Sequence, residues 1–519
     1  RRRRRRPLLP PERVTLHLSI LLWLPAAAGV AGLLGGRTVA RVLAPVAALL
    51  ALAYAILVVA DFDSSARGLQ YVTDKLWISQ LGIHYKLGVD GLNLFLILLT
   101  TVLFAASTLW ALQREWRDER TFWFHFLLAE TAVLGALMAQ DLALFVAFFD
   151  LMLIPFFFLT GIWGNPGRIP AVTKLVIYTL VGSLLMLAAA IATGVLTAQQ
   201  GGGELSFAFS DLARTHLAKG TQEWIFLCFA AAFLVKMPLF PVHGWMPDGY
   251  RAMPLPVLAV FSGVLSKVAA YGFLRVVTPL FPDAAVHYQD LMLLIALASV
   301  LYGSAMAFTT TDTRLILGYS SIAQLGFIVL GIFSLTPQGA QGAILQSVNH
   351  GLVVAPAFFI LALLAQRAGG SEDLRDMGGL AFRAPVLATL FLVVAFANLA
   401  MPGSSNFVGE FFILLGVFEA KIVIAIVAFT GVVLASVYTL RLFIRAMHNR
   451  VGPRAESREL SVRDGIVLVP LVAAIIALAF YPQLPLHKSE KTVTSAVREA
   501  NALSGTPTPA QASTGGKTP

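Results

Sequence analysis

The chain is poor in charge and almost free of cysteine. Charged residues make up 13% of its 519 positions, against about 25% in soluble domains, too few polar groups to face water on every side. The single cysteine, Cys228, sits in an apolar run. One thiol excludes an internal disulfide and a structural zinc site, and without a cysteine cluster there is no iron–sulfur ligand set. No glycine-rich phosphate loop follows a strand-like segment, and no serine lies in a GxSxG elbow. His125, His243 and His350 fall in different segments, with no paired metal-binding spacing. The expectation is a chain with no metal and no cofactor of its own.

Apolar sequence is what the chain has in abundance: 57% hydrophobic residues and a mean hydropathy of +0.78. Stretches of about 20 apolar residues, the length of a helix crossing a bilayer, recur from end to end. They predict an all-α polytopic membrane protein with about fourteen transmembrane helices. The spans lie near 15–34, 38–60, 90–112, 122–140, 142–163, 171–196, 223–243, 254–280, 287–309, 314–335, 339–366, 383–416, 421–446 and 464–482. A basic tail, 1–14, precedes them. Segment 61–88 is polar and lies outside the membrane, and the alternation Leu76–Ile83 suits a hairpin. Residues 483–519, rich in Ser, Thr, Pro, Ala and Gly, are expected to be disordered.

The formal net charge is +10. Its carriers lie in short loops between spans, which points to membrane topology and away from nucleic acid. With the N-terminus outside, the cytoplasmic loops hold Arg37, Arg41, Arg114, Arg117, Arg120, Arg168, Arg314, Arg367, Arg375, Arg383, Arg445, Arg450, Arg454, Arg458 and Arg463. The run Arg1–Arg6 opposes that orientation; a misplaced start codon or a tail translocated despite its charge would reconcile the two.

Two spans are interrupted, one at Pro238 and one at Pro402-Gly403. Pro238 has no amide hydrogen and frees the Leu234 carbonyl. Broken backbone at membrane depth is tolerated only where protein or a water-lined cavity satisfies it. Ionisable residues lie deep within several spans, where each costs at least about 2.5 kcal/mol to insert. Asp150 and Lys236 form a candidate switchable pair, the alternative being a static salt bridge. Lys267 is placed to take a proton from Lys236, the alternative being snorkelling to the interface. His350 suits a relay or a structural hydrogen bond. Glu410 ends the series as a carboxylate near the far exit. Glu130, Gln324 and Tyr319 are auxiliary candidates; Glu130 either assists Asp150 or pairs with a neighbour.

At this point the motifs resemble a family. The run Lys236-Met-Pro-Leu-Phe-Pro-Val-His-Gly-Trp-Met-Pro-Asp248 is similar to the broken-helix signature of the antiporter-like proton-channel subunits of bacterial respiratory complex I, NADH–quinone oxidoreductase. So are Ser262-Gly-Val-Leu-Ser-Lys267-Val-Ala-Ala-Tyr-Gly-Phe-Leu-Arg275, Tyr319-Ser-Ser-Ile-Ala-Gln-Leu-Gly-Phe327 and Met401-Pro-Gly-Ser-Ser-Asn-Phe-Val-Gly-Glu-Phe411. Leu87-Gly-Val-Asp-Gly-Leu-Asn-Leu-Phe95 and the run from Ile154 to Gly164 resemble the M-type member. The resemblance implies two inverted five-helix repeats, here 122–280 and 287–446, between the N-terminal helices of 15–112 and a last span at 464–482. It also implies a charged chain across the membrane middle. By motif, Lys236, Lys267 and His350 fall on family positions, and Glu410 on the glutamate that marks M-type chains. Asp150 stands where the family has glutamate, and Gln324 where many relatives have histidine. Also implied are flavin, iron–sulfur clusters and quinone in partner subunits, neighbouring antiporter-like subunits, and residence in a bacterial cell membrane. The competing readings are a subunit of a multi-subunit Na⁺/H⁺ antiporter, the membrane arm of a hydrogenase-type complex, and an inert scaffold. The last would have no use for charges this costly to bury.

Overall fold

The computed structural model describes residues 16–66, 68–448, 450–452, 456 and 458–505. The leading arginines and 506–519 lie outside the described residues. Helices dominate: α1 (Leu18–Gly35), α2 (Arg37–Asp61), α3 (Leu94–Ala111), α4 (Glu119–Met138), α5 (Leu142–Trp163), α6 (Arg168–Gly201), α7 (Lys219–Lys236), α8 (Leu255–Leu280), α9 (Gln289–Thr309), α10 (Thr313–Phe333), α11 (Pro337–Arg367), α12 (Pro385–Asn398), α13 (Ser405–Ala420), α14 (Ile422–Met447), α15 (Val462–Phe480) and α16 (Gln483–Ser504).

Twelve of these are long and apolar enough to cross a membrane. The two expected spans missing from the twelve are the interrupted ones. The first is reduced to α7, and the second is split into α12 and α13. α8 and α10 are buried along their whole apolar length and α11 along nearly all of it, while two thirds of the α2 and α14 windows face outward. The core is therefore α8, α10 and α11, with α3 and α4 beside them. The outer faces of α2, α6 and α14 are apolar, with Leu50, Leu184 and Val423 exposed, as suits a surface that does not face water.

Direct contacts gather the arginine-rich loops on one face. Arg37 and Arg41 pair with Glu119 at 3.1 and 3.0 Å. The Asn165 amide donates to the Ala252 carbonyl at 2.8 Å, Arg251 pairs with Asp312 at 2.8 Å, and Arg367 donates to the Arg458 carbonyl at 2.7 Å. The opposite face carries an antiparallel hairpin, β1 (Gln70–Ile78) and β2 (Ile83–Val89), turning through the stretch expected to do so.

The expectation of disorder after residue 483 is corrected by α16, an amphipathic helix lying on the hairpin face. Its buried side is Pro485, Leu486, Ser489, Val493, Ala496, Val497 and Ala500, a helical spacing built from residues too small or polar to stand out. Lys488 Nζ donates to the Val59 and Phe62 carbonyls at 2.9 Å. Gln341 donates to the Leu486 carbonyl at 2.7 Å, and Asn501 to that of Leu335 at 2.8 Å. The helix thus ties α2 to α11 across the bundle.

Candidate functional site

Both helix breaks close in the same way. After α7 the freed Leu234 carbonyl accepts the Leu239 amide at 3.1 Å, and after α12 the Phe396 carbonyl accepts the Met401 amide at 3.1 Å. Each is the six-to-one bond of a helix-ending turn. At the second break Ala400 (φ 51°) and Gly403 (φ 92°) take left-handed backbone. At the first, the Trp245 indole donates to the Val235 carbonyl at 3.0 Å. The loose carbonyls are thus accounted for, and Lys236 is left at the carbonyl end of α7, where a helix dipole favours a cation.

Lys236 is buried; its Nζ donates to the Phe149 carbonyl at 3.4 Å and stands 4.6 Å from the centre of the Phe149 ring. α5 is interrupted at Met152, three residues before Pro155, so its backbone carbonyls are accessible here. Asp150 is half-buried, faces Lys236 and the Ser183 hydroxyl of α6, and leaves Oδ1 without a hydrogen-bond partner. It is not among the ion pairs formed within 4.0 Å by the described residues. The expected pair is therefore a facing pair and not a closed salt bridge, as the shorter aspartate side chain requires.

Lys267 is fully buried and belongs to a helical turn, Ser266–Gly272, bracketed by two π-helical turns, Phe261–Leu265 and Phe273–Val277. Wide turns of this kind recur at functional sites. Its Nζ donates to the Ser262 carbonyl at 2.7 Å, so it folds back on its own helix and does not snorkel outward. His350 lies in its electrostatic reach, fully buried, with neither ring nitrogen bonded. The pairing depends on two glycines. A Cβ on Gly351 would stand 2.6 Å from the Gly263 carbonyl oxygen, so α8 and α11 touch backbone to backbone beside Lys267 and His350.

Glu410, on α13, is buried. Its Oε1 accepts from Gln324 at 2.8 Å and from Gln346 at 3.4 Å, and Gln346 also donates to Gln324 Oε1 at 2.7 Å. Glu410 Oε2, Gln346 Oε1 and both side-chain atoms of Asn406 have no partner. Gln324 thus holds the carboxylate directly. Tyr319 lies elsewhere: its ring packs 6.2 Å from Tyr302, near Arg251 and Asp248 on the arginine-rich side.

Sequence reading missed Gln346, which lies one turn before His350 on the same face of α11 and reaches Glu410 and Gln324; that i, i+4 spacing was the available signal. It also missed Asn349, whose amide donates to the Ser405 carbonyl at 2.6 Å, and Asn398, which ties α12 to Ser320 and Thr439 at 3.3 and 3.1 Å. Arg275 appeared only inside a motif. Its Nη2 donates to both Asp90 oxygens at 2.6 Å in a largely enclosed pair, and its Nε donates to the Tyr271 hydroxyl at 2.9 Å.

The candidate residues come from consecutive neighbours. α5 meets α7 through Phe149 and Phe233, 5.7 Å apart. α7 meets α8 through Phe233 and Phe273, at 5.1 Å. α8 meets α11 at the glycines, and α11 meets α13 at Asn349 and Ser405.

A family model described as "NADH:quinone oxidoreductase/Mrp antiporter, TM" matches residues 139–435. NADH-quinone oxidoreductase subunit M of Rhodobacter capsulatus is 34% identical over 509 residues, spanning 94% of this chain and 98% of that protein. Subunit M of Mycobacterium tuberculosis (strain ATCC 25618 / H37Rv) is 36% identical over 511 residues, 90% of this chain and 91% of its own. A chain of respiratory complex I from Thermus thermophilus with bound NADH shares the fold with TM-score 0.85 at 29% identity, over 94% of this chain and 100% of that one. The Mrp complex from Dietzia sp. DQ12-45-1b has a chain of the same fold, TM-score 0.82 at 21% identity, over 94% and 99%. With more than half its length matched by the family model, and relatives aligned along nearly their whole length, the chain belongs to the NADH:quinone oxidoreductase/Mrp antiporter membrane-subunit family, on its subunit M branch.

Proposed function

We propose that protons cross this subunit along the buried file Asp150, Lys236, Lys267, His350 and Glu410, with Gln346 and Gln324 linking the last two. As a subunit M, the chain is a proton-translocating membrane subunit of respiratory complex I. The observation that carries the proposed path is the placement of five ionisable groups on five successively touching helices, each buried or half-buried and none closed into a salt bridge. A structural network would have paired them, because an unpaired polar group costs several kcal/mol in such surroundings. Their open atoms are the positions at which ordered water would complete a conducting file.

In this reading Lys236 is the moving part. It stands on a broken helix end opposite a carboxylate it does not touch. Closing that gap holds the lysine's proton, and opening it releases the proton towards Lys267. The arginine-rich face is cytoplasmic. The interrupted α7 and α12–α13 complete fourteen crossings, and their matching breaks support two inverted repeats. Flavin, iron–sulfur clusters and quinone reside in partner subunits, whose redox step drives the motion. Other membrane-arm subunits flank the chain in a bacterial inner membrane. Likeness to the Mrp chain extends to the fold alone.

The test is Lys236→Ala in membranes, with quinone reductase activity and proton pumping read together. Both should fall, since coupled pumping gates the redox step. Full activity with normal pumping would refute the role.

A further inference from the structure

One group of buried polar atoms lies off this file. Glu130, on α4, is completely buried, and neither of its carboxyl oxygens has a partner. Burying even a neutral carboxyl without hydrogen bonds costs several kcal/mol, so a single orphan of this kind calls for a reason.

Glu130 is not isolated in kind. At about 100° per residue, Glu119, Trp123 and Glu130 fall within about 40° of one another on one face of α4. Glu119 is buried at the arginine-rich face. Its Oε1 takes Arg37 and Arg41, and its Oε2 is unpartnered. Trp123 Nε1 is buried and unpartnered. α3 runs antiparallel beside α4, and the Phe104 and Phe126 rings, 5.3 Å apart, set the register. That register brings Ser107 and Thr108 to the level of Trp123, and both of their hydroxyls are buried without partners. Five unpartnered groups thus follow one line inward. Glu130 lies eleven residues past Glu119, about 16 Å deep at 1.5 Å per residue, near the middle of a hydrocarbon core of about 30 Å. There α4 packs on the turn Ser266–Gly272 that carries Lys267, whose neighbours Ser262 and Ser266 also have unpartnered hydroxyls.

We propose that Glu130 is a proton-carrying residue at the inner end of a second input line, running between α3 and α4 from Glu119 to Lys267. The inference rests on the conduction reading above and adds an entry to it. A proton from the arginine-rich side enters past Glu119, whose open Oε2 can accept a hydrogen bond from incoming water. It passes through water ordered by the hydroxyls of Ser107 and Thr108, which both donate and accept, and by the Trp123 N–H, which only donates. Glu130 takes it up as a neutral acid and releases it towards Ser266 and Lys267. The edge-on pair Phe104–Phe126 stands between the two polar levels and forms the narrow point of the line. Arg37, Arg41 and Glu115 are the charged groups at its mouth.

The experiment uses the whole complex in inverted membrane vesicles, with Glu130→Gln, Glu130→Asp, the isosteric pair Ser107→Ala with Thr108→Val, and Lys236→Ala alongside. The rates of pumping and of NADH oxidation are each measured, together with deuterium exchange of the carboxylic-acid carbonyl band in the infrared. Glu130→Gln should cut pumping severalfold and remove one rapidly exchanging band, and Glu130→Asp should keep part of both. The Ser107/Thr108 pair should slow that band's exchange. A Glu130→Gln complex that pumps normally while Lys236→Ala does not would overturn the second line alone. Normal pumping in both would overturn the conduction reading itself. Should Glu130→Gln fail to assemble, the Ser107/Thr108 pair decides, and unslowed exchange with unchanged pumping overturns the inference.

Discussion

Replacing Gly351 by alanine places a methyl 2.6 Å from the Gly263 carbonyl oxygen and 2.6 Å from a Leu99 methyl. Ordinary contact begins at 3.4 Å, so α8 and α11 must part by close to 0.8 Å where Lys267 faces His350. Leu99 can rotate away; the Gly263 backbone cannot. Overpacking of this kind costs about 1–3 kcal/mol. A displacement approaching 1 Å between reacting groups can cost up to about 100-fold in rate, so a loss in pumping of about tenfold is expected for a shift of this size. The matched control is Gly263→Ala across the same contact. Its methyl meets the Leu103 side-chain tip at 2.3 Å, which can swing aside, and the Gly351 carbonyl oxygen at 3.4 Å, an ordinary distance. The pumping rate in inside-out vesicles, with the melting temperature of the purified complex, reads both effects. Gly351→Ala should lose on both measures and Gly263→Ala on neither. Equal behaviour of the two would mean that helix spacing at this crossing does not control transfer from Lys267 to His350, and the reasoning would fail.

Asp150→Glu adds the methylene needed to approach Lys236 and should preserve pumping, whereas Asp150→Asn should abolish it in the same vesicle assay; normal pumping by the asparagine variant would remove Asp150 from the file. Gln346→Leu takes a donor from Glu410 and from Gln324 Oε1, a loss of about 1–3 kcal/mol, and should slow proton delivery to Glu410 while the complex still assembles. Asp90→Ala strands the largely enclosed Arg275 guanidinium and should cost about 3–5 kcal/mol, seen as a lower melting temperature. Adding Arg275→Met should recover most of that, and a double variant as unstable as the single one would contradict the pairing.

The spans, both breaks and the deep charges were legible because each violates or obeys a strong rule of the bilayer. About 20 apolar residues in a row have one stable environment, proline at Pro238 and Pro402 has one effect on a helix, and a lysine such as Lys267 in such a run needs a reason. Other features depend on what the chain meets only after folding. α16 buries Ser489, Ala496 and Ala500, whose apolar character is too weak to reveal a face until α2 and α11 supply a surface for it. Gln346 and Asn406 are ordinary helix residues in one dimension and become notable when α11 and α13 bring them to Glu410. The gap between Asp150 and Lys236 turns on the length of one side chain and the path of α5 past Met152.

The two halves of the file are built on different principles. At Glu410 the neighbours are amides: Gln324 and Gln346 hold one carboxylate oxygen in a closed triangle and leave the other open, while Asn398 and Asn349 fasten the helices on either side of the break. Such a site is held at fixed geometry whatever its protonation, because amides do not change charge. At Lys236 the surroundings are Phe149 and a backbone carbonyl, the carboxylate stands off, and the loop beyond the helix end is secured chiefly by Trp245. No closed ion pair fixes the lysine there, and small movements change the Coulomb energy steeply, since two charges about 4 Å apart interact by about 4 kcal/mol at an effective dielectric of 20. On the proposed reading, the energy of the redox step would therefore act at the Asp150–Lys236 gap, and the file from Lys267 to Glu410 would pass on what that gap releases.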